Sequence, residues 1–326
     1  MDTAFKNKKS LNKNLNPFVI FLFVVLLIYS LTLIFMISWG FMTSLKNEYD
    51  FHGGRGHIAN YLGLPRFSIW KDKSVFTNYE SVMGYFNGGT IPANKNYWYG
   101  FNLDIDMTKS GYAKFIDLLS NSILYAICGS VVIALVPALV GYLCAKYPYK
   151  FSSLIYTITI VVMVLPLVSA TPSKIVLMQR LCIFDTIYGD VIVNMMFPNM
   201  YFLVFYAFFQ GVSGTYSEAA EVDGASQFRI LVTIVMPLAV KMMTTVILIY
   251  FIGRWNDYAT PLLYLPSHPT LSLAVQQVIQ GSNIEGMTGT PAKIAATMTV
   301  ALPMIILFIC VKDRLLGNIS MGGIKE

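Results

Sequence analysis

Charge is what this sequence has least of. Only 12% of its 326 residues are charged, against about 25% in a soluble globular domain, while 56% are hydrophobic and the mean hydropathy is +0.60. That balance excludes a water-soluble globule and implies an integral membrane protein. Histidine is almost missing too. With only His52, His57 and His268 present, no HExxH zinc helix can be written, and no GxxxxGK[ST] phosphate loop occurs either. Any ATP must therefore be bound by another chain. The four cysteines, Cys128, Cys144, Cys182 and Cys310, show no CxxC or ligand-like spacing and read as small packing residues. Lys and Arg outnumber Asp and Glu by 23 to 17, but the lysines flank apolar runs, where retention of positive charge on the cytoplasmic side accounts for them. Without a basic stripe carrying interleaved aromatics, nucleic acid is not an expected partner.

What the chain has in abundance is apolar length. About 20 apolar residues cross a ~30 Å hydrocarbon core. Six segments qualify: 17–45, 118–145, 153–178, 187–211, 233–258 and 292–311. The first is far longer than the apolar core of a signal peptide, so it is expected to remain as an uncleaved span. Lysines in the N-terminal tail, Lys146 and Lys150 after the second span, and Lys312 and Arg314 after the sixth predict an N-in, C-in topology. Lys174 and Arg180 dissent, because this topology puts their connection outside. The expected fold class is an all-α polytopic membrane protein with six transmembrane helices. Its expected organisation is a cytoplasmic tail 1–16, a first helix 17–45, an extracytoplasmic segment 46–116, a five-helix core 117–316 with a cytoplasmic loop 212–232, and a C-terminal tail 317–326. Segment 46–116 holds 15 aromatics and nine glycines, which predicts a small folded cap rather than a polar linker. Those aromatics either form the cap's own core, dock a partner or stack on a sugar.

The stretch EAAEVDGASQFRILVTIVMP, residues 218–237, is short and acidic where its neighbours are apolar. Thr215 and Glu218 have capping-box spacing, so a helix is expected from Tyr216. Asp223 and Gly224 should end it, Gly224 by supplying a left-handed conformation, and a second helix through Phe228, Ile230 and Leu231 then leads into the fifth span. A helix of about eight residues does not persist alone in water, so it needs something to dock against.

Glu218, Ala219, Ala220, Gly224, Ile234 and Pro237 together resemble the EAA loop of ABC-importer permeases, with Met236 where that family prefers leucine. The resemblance implies a coupling helix seated on a cytoplasmic ATPase, with Asp223 and Ala225 in the same turn. FIGRWNDYATPLLYL at 251–265, FTNY at 76–79, LLSNSILYA at 118–126, TLSLAV at 270–275 and the tail GNISMGGIKE are similar to the maltose-type carbohydrate importers, second-permease class. Only about 50–72 and 84–110, enlargements of the first external loop, fall outside the likeness. It implies a non-catalytic permease in the bacterial plasma membrane with no cofactor of its own. Its partners would be a second, different permease, two copies of an ATPase that uses ATP and Mg, and an extracytoplasmic substrate-binding protein delivering a sugar or oligosaccharide.

Polar residues inside the spans are the candidate translocation path: Arg254, Trp255, Asn256 and Asp257, with Pro166 (and Pro172) breaking the third span. An arginine near the bilayer centre costs about 2.5–3.5 kcal/mol, so it should face a cavity or a partner. Asp257, three residues on, is one such partner if the helix continues past it. Alternatively the span ends near Gly253 and both charges sit at the outer headgroups. Three further readings compete. An anionic or glycerol-phosphate-like cargo would use Arg254, a membrane aspartyl protease would use Asp185 and Asp190, and a channel would need a filter-like repeat, which is not visible.

Overall fold

The computed structural model describes residues 17–53, 58–66, 76–88, 113–147, 149–165, 171–195, 198–281 and 289–319, the side chains of Tyr216 and of 311–319 excepted. Among them every regular element is helical. The order is α1 (Pro17–Ser44), α2 (Glu48–His52), α3 (Thr77–Asn87), α4 (Phe115–Lys146), α5 (Lys150–Val164), α6 (Thr171–Arg180), α7 (Ile187–Val193), α8 (Met200–Gly211), α9 (Thr215–Val222), α10 (Gln227–Ile230), a π-helical turn (Leu231–Val235), α11 (Met236–Asn256), α12 (Ala259–Tyr264), α13 (Leu271–Gln280) and α14 (Thr290–Ile319).

Among the described residues, four helical runs are long and apolar enough to cross a membrane: Pro17–Ser44, Phe115–Lys146, Gln227–Asn256 and Thr290–Cys310. The two remaining expected spans are broken. In the third, α5 has 15 residues, about 22 Å, which falls short of the hydrocarbon core. Its end has a steric cause. Leu165 is extended (φ −68°, ψ 125°) because the ring of a following proline disfavours the helical conformation in the residue before it. Pro166 itself lies outside the described residues. In the fourth span, α7 and α8 are separate helices, the second begun by Asn199, whose side chain accepts from the amides of Tyr201 and Phe202.

The chain divides into two compact units, Met1–Glu80 with Gly286–Met298, and Ser81–Glu285 with Thr299–Glu326. In the first, α1 exposes apolar side chains on all sides from Phe18 to Ile37, as a helix solvated by lipid does. Just past α1 a short polar knot is folded. The Lys46 ammonium, wholly buried, donates to the carbonyls of Asn60 (2.7 Å) and Tyr61 (3.1 Å), and burial pushes it below its ordinary value against the pull of Asp50. Asp50, also buried, accepts from the Arg66 amide at 2.9 Å, and Asn78 donates to the carbonyls of Ser44 and Lys46. These contacts lie within the segment expected to form a cap, of which residues 54–57, 67–75 and 89–112 lie outside the described set.

The second unit is organised on α4, which packs along α11 and α8. Small residues of α4, Ala134 and Ala138, meet Phe205 and Phe209 of α8 and Val235, Ala239 and Val246 of the run into α11. Close approach of helices through small residues supplies the van der Waals contact that holds spans together in lipid, where no hydrophobic driving force exists between them. Of the cysteines, Cys144 is buried in this way, whereas Cys182 and Cys310 are exposed, so the packing reading does not extend to them.

Candidate functional site

The loop between α8 and α10 is built as a stub. Helix α9 starts one residue earlier than its spacing suggests. Its N-cap is Gly214, without a side-chain bond, while Ser213 Oγ takes the Thr215 amide at 3.3 Å, so Thr215 does not act as the cap. The far end is as expected. Gly224 adopts φ 77°, its amide donates to Glu221 O (3.0 Å), and the Ala225 amide donates to Ala220 O (2.9 Å), the paired bonds of a Schellman stop. Ser226 then caps α10 by accepting from the Arg229 amide.

Pro237 explains the turn that follows. A proline in a helix lacks an N–H and crowds the carbonyl four residues back; the preceding five residues widen into a π turn, with the Met236 amide bonded to Leu231 O. Ile234 is half-buried against the core of the second unit, as are Ala220 and Ala225. Glu218, Ala219, Glu221, Asp223 and Gly224 face outward. Beside them stand two apolar side chains with little cover, Val222 (88% exposed) and Phe228 (75%). The stub is braced from behind, by Lys146 Nζ on Val212 O, Tyr147 OH on Gln227 Oε1, and Gln227 Nε2 on Glu221 Oε1.

A second cluster sits at the opposite end of α11. The helix does not continue past Asp257. It ends at Asn256, so Arg254 lies in its last turn, where a cation complements the helix dipole. Arg254 is 9% exposed and its guanidinium forms a charged pair with Asp190 of α7, which is wholly buried and also accepts from Asn194 Nδ2 at 2.8 Å. Arg254 Nε donates to Tyr125 O at 3.1 Å, and the guanidinium lies 3.9 Å over the Tyr125 ring. Gly129 permits this approach, since a Cβ there would overlap the guanidinium.

The pairing of Arg254 with Asp257 is therefore corrected to Asp190. Asp257 is the residue at which the backbone leaves the helix (φ −75°, ψ 118°), so helical spacing no longer applies to it. Its carboxylate accepts instead from Tyr125 OH (2.8 Å) and from the amides of Ala259 (3.0 Å) and Thr260 (3.1 Å), capping α12. Trp255 is turned inward, 4% exposed, with Nε1 donating to Val300 O and its own carbonyl accepting from Ser272 Oγ. Asn256 is exposed and Asp257 half-buried.

Sequence reasoning missed Asp190, Tyr125, Asn194 and Gly129 as members of this cluster. The one available signal was that a buried arginine requires an acidic partner somewhere. Asp185 and Asp190 do not form a protease pair. Asp190 is bound to Arg254, while Asp185, held at φ 60°, accepts from the Ser267 amide at 2.8 Å.

Known proteins resemble the chain over most of its length. Residues 137–319 match the family described as binding-protein-dependent transport system inner membrane component. The arabinooligosaccharides transport system permease protein AraQ of Bacillus subtilis is 23% identical over 73% of this chain and 87% of its own. For the diacetylchitobiose uptake system permease protein NgcG of Streptomyces coelicolor the figures are 23%, 62% and 67%, and for the trehalose transport system permease protein SugB of Mycobacterium tuberculosis 23%, 65% and 77%. A chain from the crystal structure of a bacterial ABC transporter involved in import of the acidic polysaccharide alginate superposes with a TM-score of 0.65, at 21% identity, over 91% of this chain and 95% of that one.

Proposed function

We infer the function from one premise: the chain belongs to the binding-protein-dependent transport system inner membrane component family. Members of that family are transport subunits, not catalysts, and sit in the inner membrane as multi-pass proteins. We propose that this chain is one of two different permeases of an ABC importer, and that it forms half of the pathway for a sugar or oligosaccharide. An extracytoplasmic binding protein would deliver that cargo, and two copies of a separate ATPase would use ATP and Mg. The relatives named for arabinooligosaccharides, diacetylchitobiose and trehalose support the cargo class. With its guanidinium bound to Asp190, Arg254 no longer supports an anionic cargo; the likeness to an importer of the acidic polysaccharide alginate keeps acidic sugars within the cargo class.

One observation carries the coupling assignment. Helix α9 is a single stub, stopped at Gly224, anchored on its inner side by Ala220 and Ala225 and bare on its outer side. An eight-residue helix with an uncovered acidic and apolar face is shaped to be held by another protein. Glu218, Ala219, Ala220, Asp223, Gly224 and Ala225 make that contact in this reading, while Ile234 and Pro237 set the angle at which it meets α11. Closure of the ATPase pair would then push on α9, and the π turn and α11 would carry the movement to the turn at Trp255, Asn256 and Asp257. Asn256 and Asp257 line the path, with Arg254 and Trp255 behind them. Coexpressed with its permease partner, the wild-type chain should retain the ATPase through purification. The Glu218→Lys chain should insert normally and lose it. Equal ATPase retention by both chains would refute the assignment.

A further inference from the structure

We propose that Arg254 is a positioning residue for the Trp255–Asp257 turn and that its guanidinium, paired with Asp190, acts on the Asp257 carboxylate through Tyr125. The functional weight of this inference rests on the reading that the turn lies on the translocation path; its structural part does not.

The connection is continuous. Asn194 holds Asp190, Asp190 holds the Arg254 guanidinium, and the guanidinium covers the ring of Tyr125 at 3.9 Å while Nε ties down the Tyr125 carbonyl. Tyr125 is 1% exposed, so its ring has no second place to go. Its hydroxyl donates to one oxygen of Asp257, whose other oxygen holds the first two amides of α12. One chain of side chains thus joins α7, α11, α4 and α12.

If the guanidinium served only to neutralise Asp190, its placement over the ring would be incidental. An ion pair could form without the flat approach that Gly129 makes possible, and α4 carries a glycine just where a side chain would lift the guanidinium away. A cation facing a π system is favourable when desolvated, and within a water-poor network each bond polarises the next. The position of the Tyr125 hydroxyl, and with it the Asp257 carboxylate, is therefore tied to Arg254.

Amide hydrogen exchange of the full chain in detergent micelles tests this. Removing Arg254 alone would strand a buried aspartate and destabilise the whole fold, so the informative variant is Asp190→Leu with Arg254→Met. Replacing both partners of a buried pair by apolar residues is generally tolerated. The α12 amides in this double variant should exchange about tenfold faster, the effect of loosening a helix cap, with α8 unchanged. Tyr125→Phe should reproduce the increase, and combining it with the double variant should add nothing further. Parent-like α12 exchange in the double variant would overturn the proposal, as would independent, multiplying effects. Faster α12 exchange with undiminished ATP hydrolysis in the reconstituted transporter would leave the positioning role standing and take the turn off the path.

Discussion

Gly129 and Gly253 stand near the same arginine and serve opposite ends. A Cβ at Gly129 would collide with the Arg254 guanidinium, whereas a Cβ at Gly253 meets nothing within 4 Å. Gly129→Ala must therefore push Arg254 off Tyr125 or part α4 from α11, at a cost of about 1–3 kcal/mol. Gly253→Ala should be neutral or mildly stabilising, because alanine is the better helix former. Thermal unfolding of the detergent-solubilised chain distinguishes them: the midpoint should fall for the first substitution and hold for the second. From the residues alone, Arg254 was recognisable as needing compensation. Its partner was not, because Asp190 lies 64 positions away and only the packing of α7 against α4 brings it near.

At the scale of elements, the stub α9 and the end of α5 show how far local chemistry reaches. Gly224 takes φ 77° in open space, so the obstacle to substitution is the backbone conformation and not a clash. Gly224→Val should lose the stop, at about 1–2 kcal/mol for a left-handed residue, and release the ATPase. Gly224→Asn should keep it, since asparagine tolerates that conformation. Co-purification of the ATPase with each variant checks the pair. Such stops are legible because the cause sits within a few residues of the effect. The same holds for Leu165, whose extended backbone follows from the proline after it. The N-terminus of α9 was less legible, since the Ser217 and Glu218 amides that a Thr215 cap would take are held by the Gly214 carbonyl, and the spacing alone does not arbitrate.

For the whole molecule, the expectation is six crossings with both termini in the cytoplasm, α5 with α6 making one crossing and α7 with α8 another. A phosphatase reporter that is active only outside the cytoplasm should be silent when fused after Glu326 and active when inserted within 89–110. The reverse pattern would place α9 on the wrong side for an ATPase and end the importer reading. What the amino-acid order determined by itself was everything with short range: the membrane class from hydropathy, the four long spans from continuous apolar length, and the stops at Gly224 and Leu165 from backbone sterics. What only the tertiary structure decided was which charges meet. Asp190 pairs with Arg254, and Asp257 turns to Tyr125 and α12, because ion pairing in a low-dielectric interior depends on distances of a few ångströms between helices. No spacing along the chain records those distances.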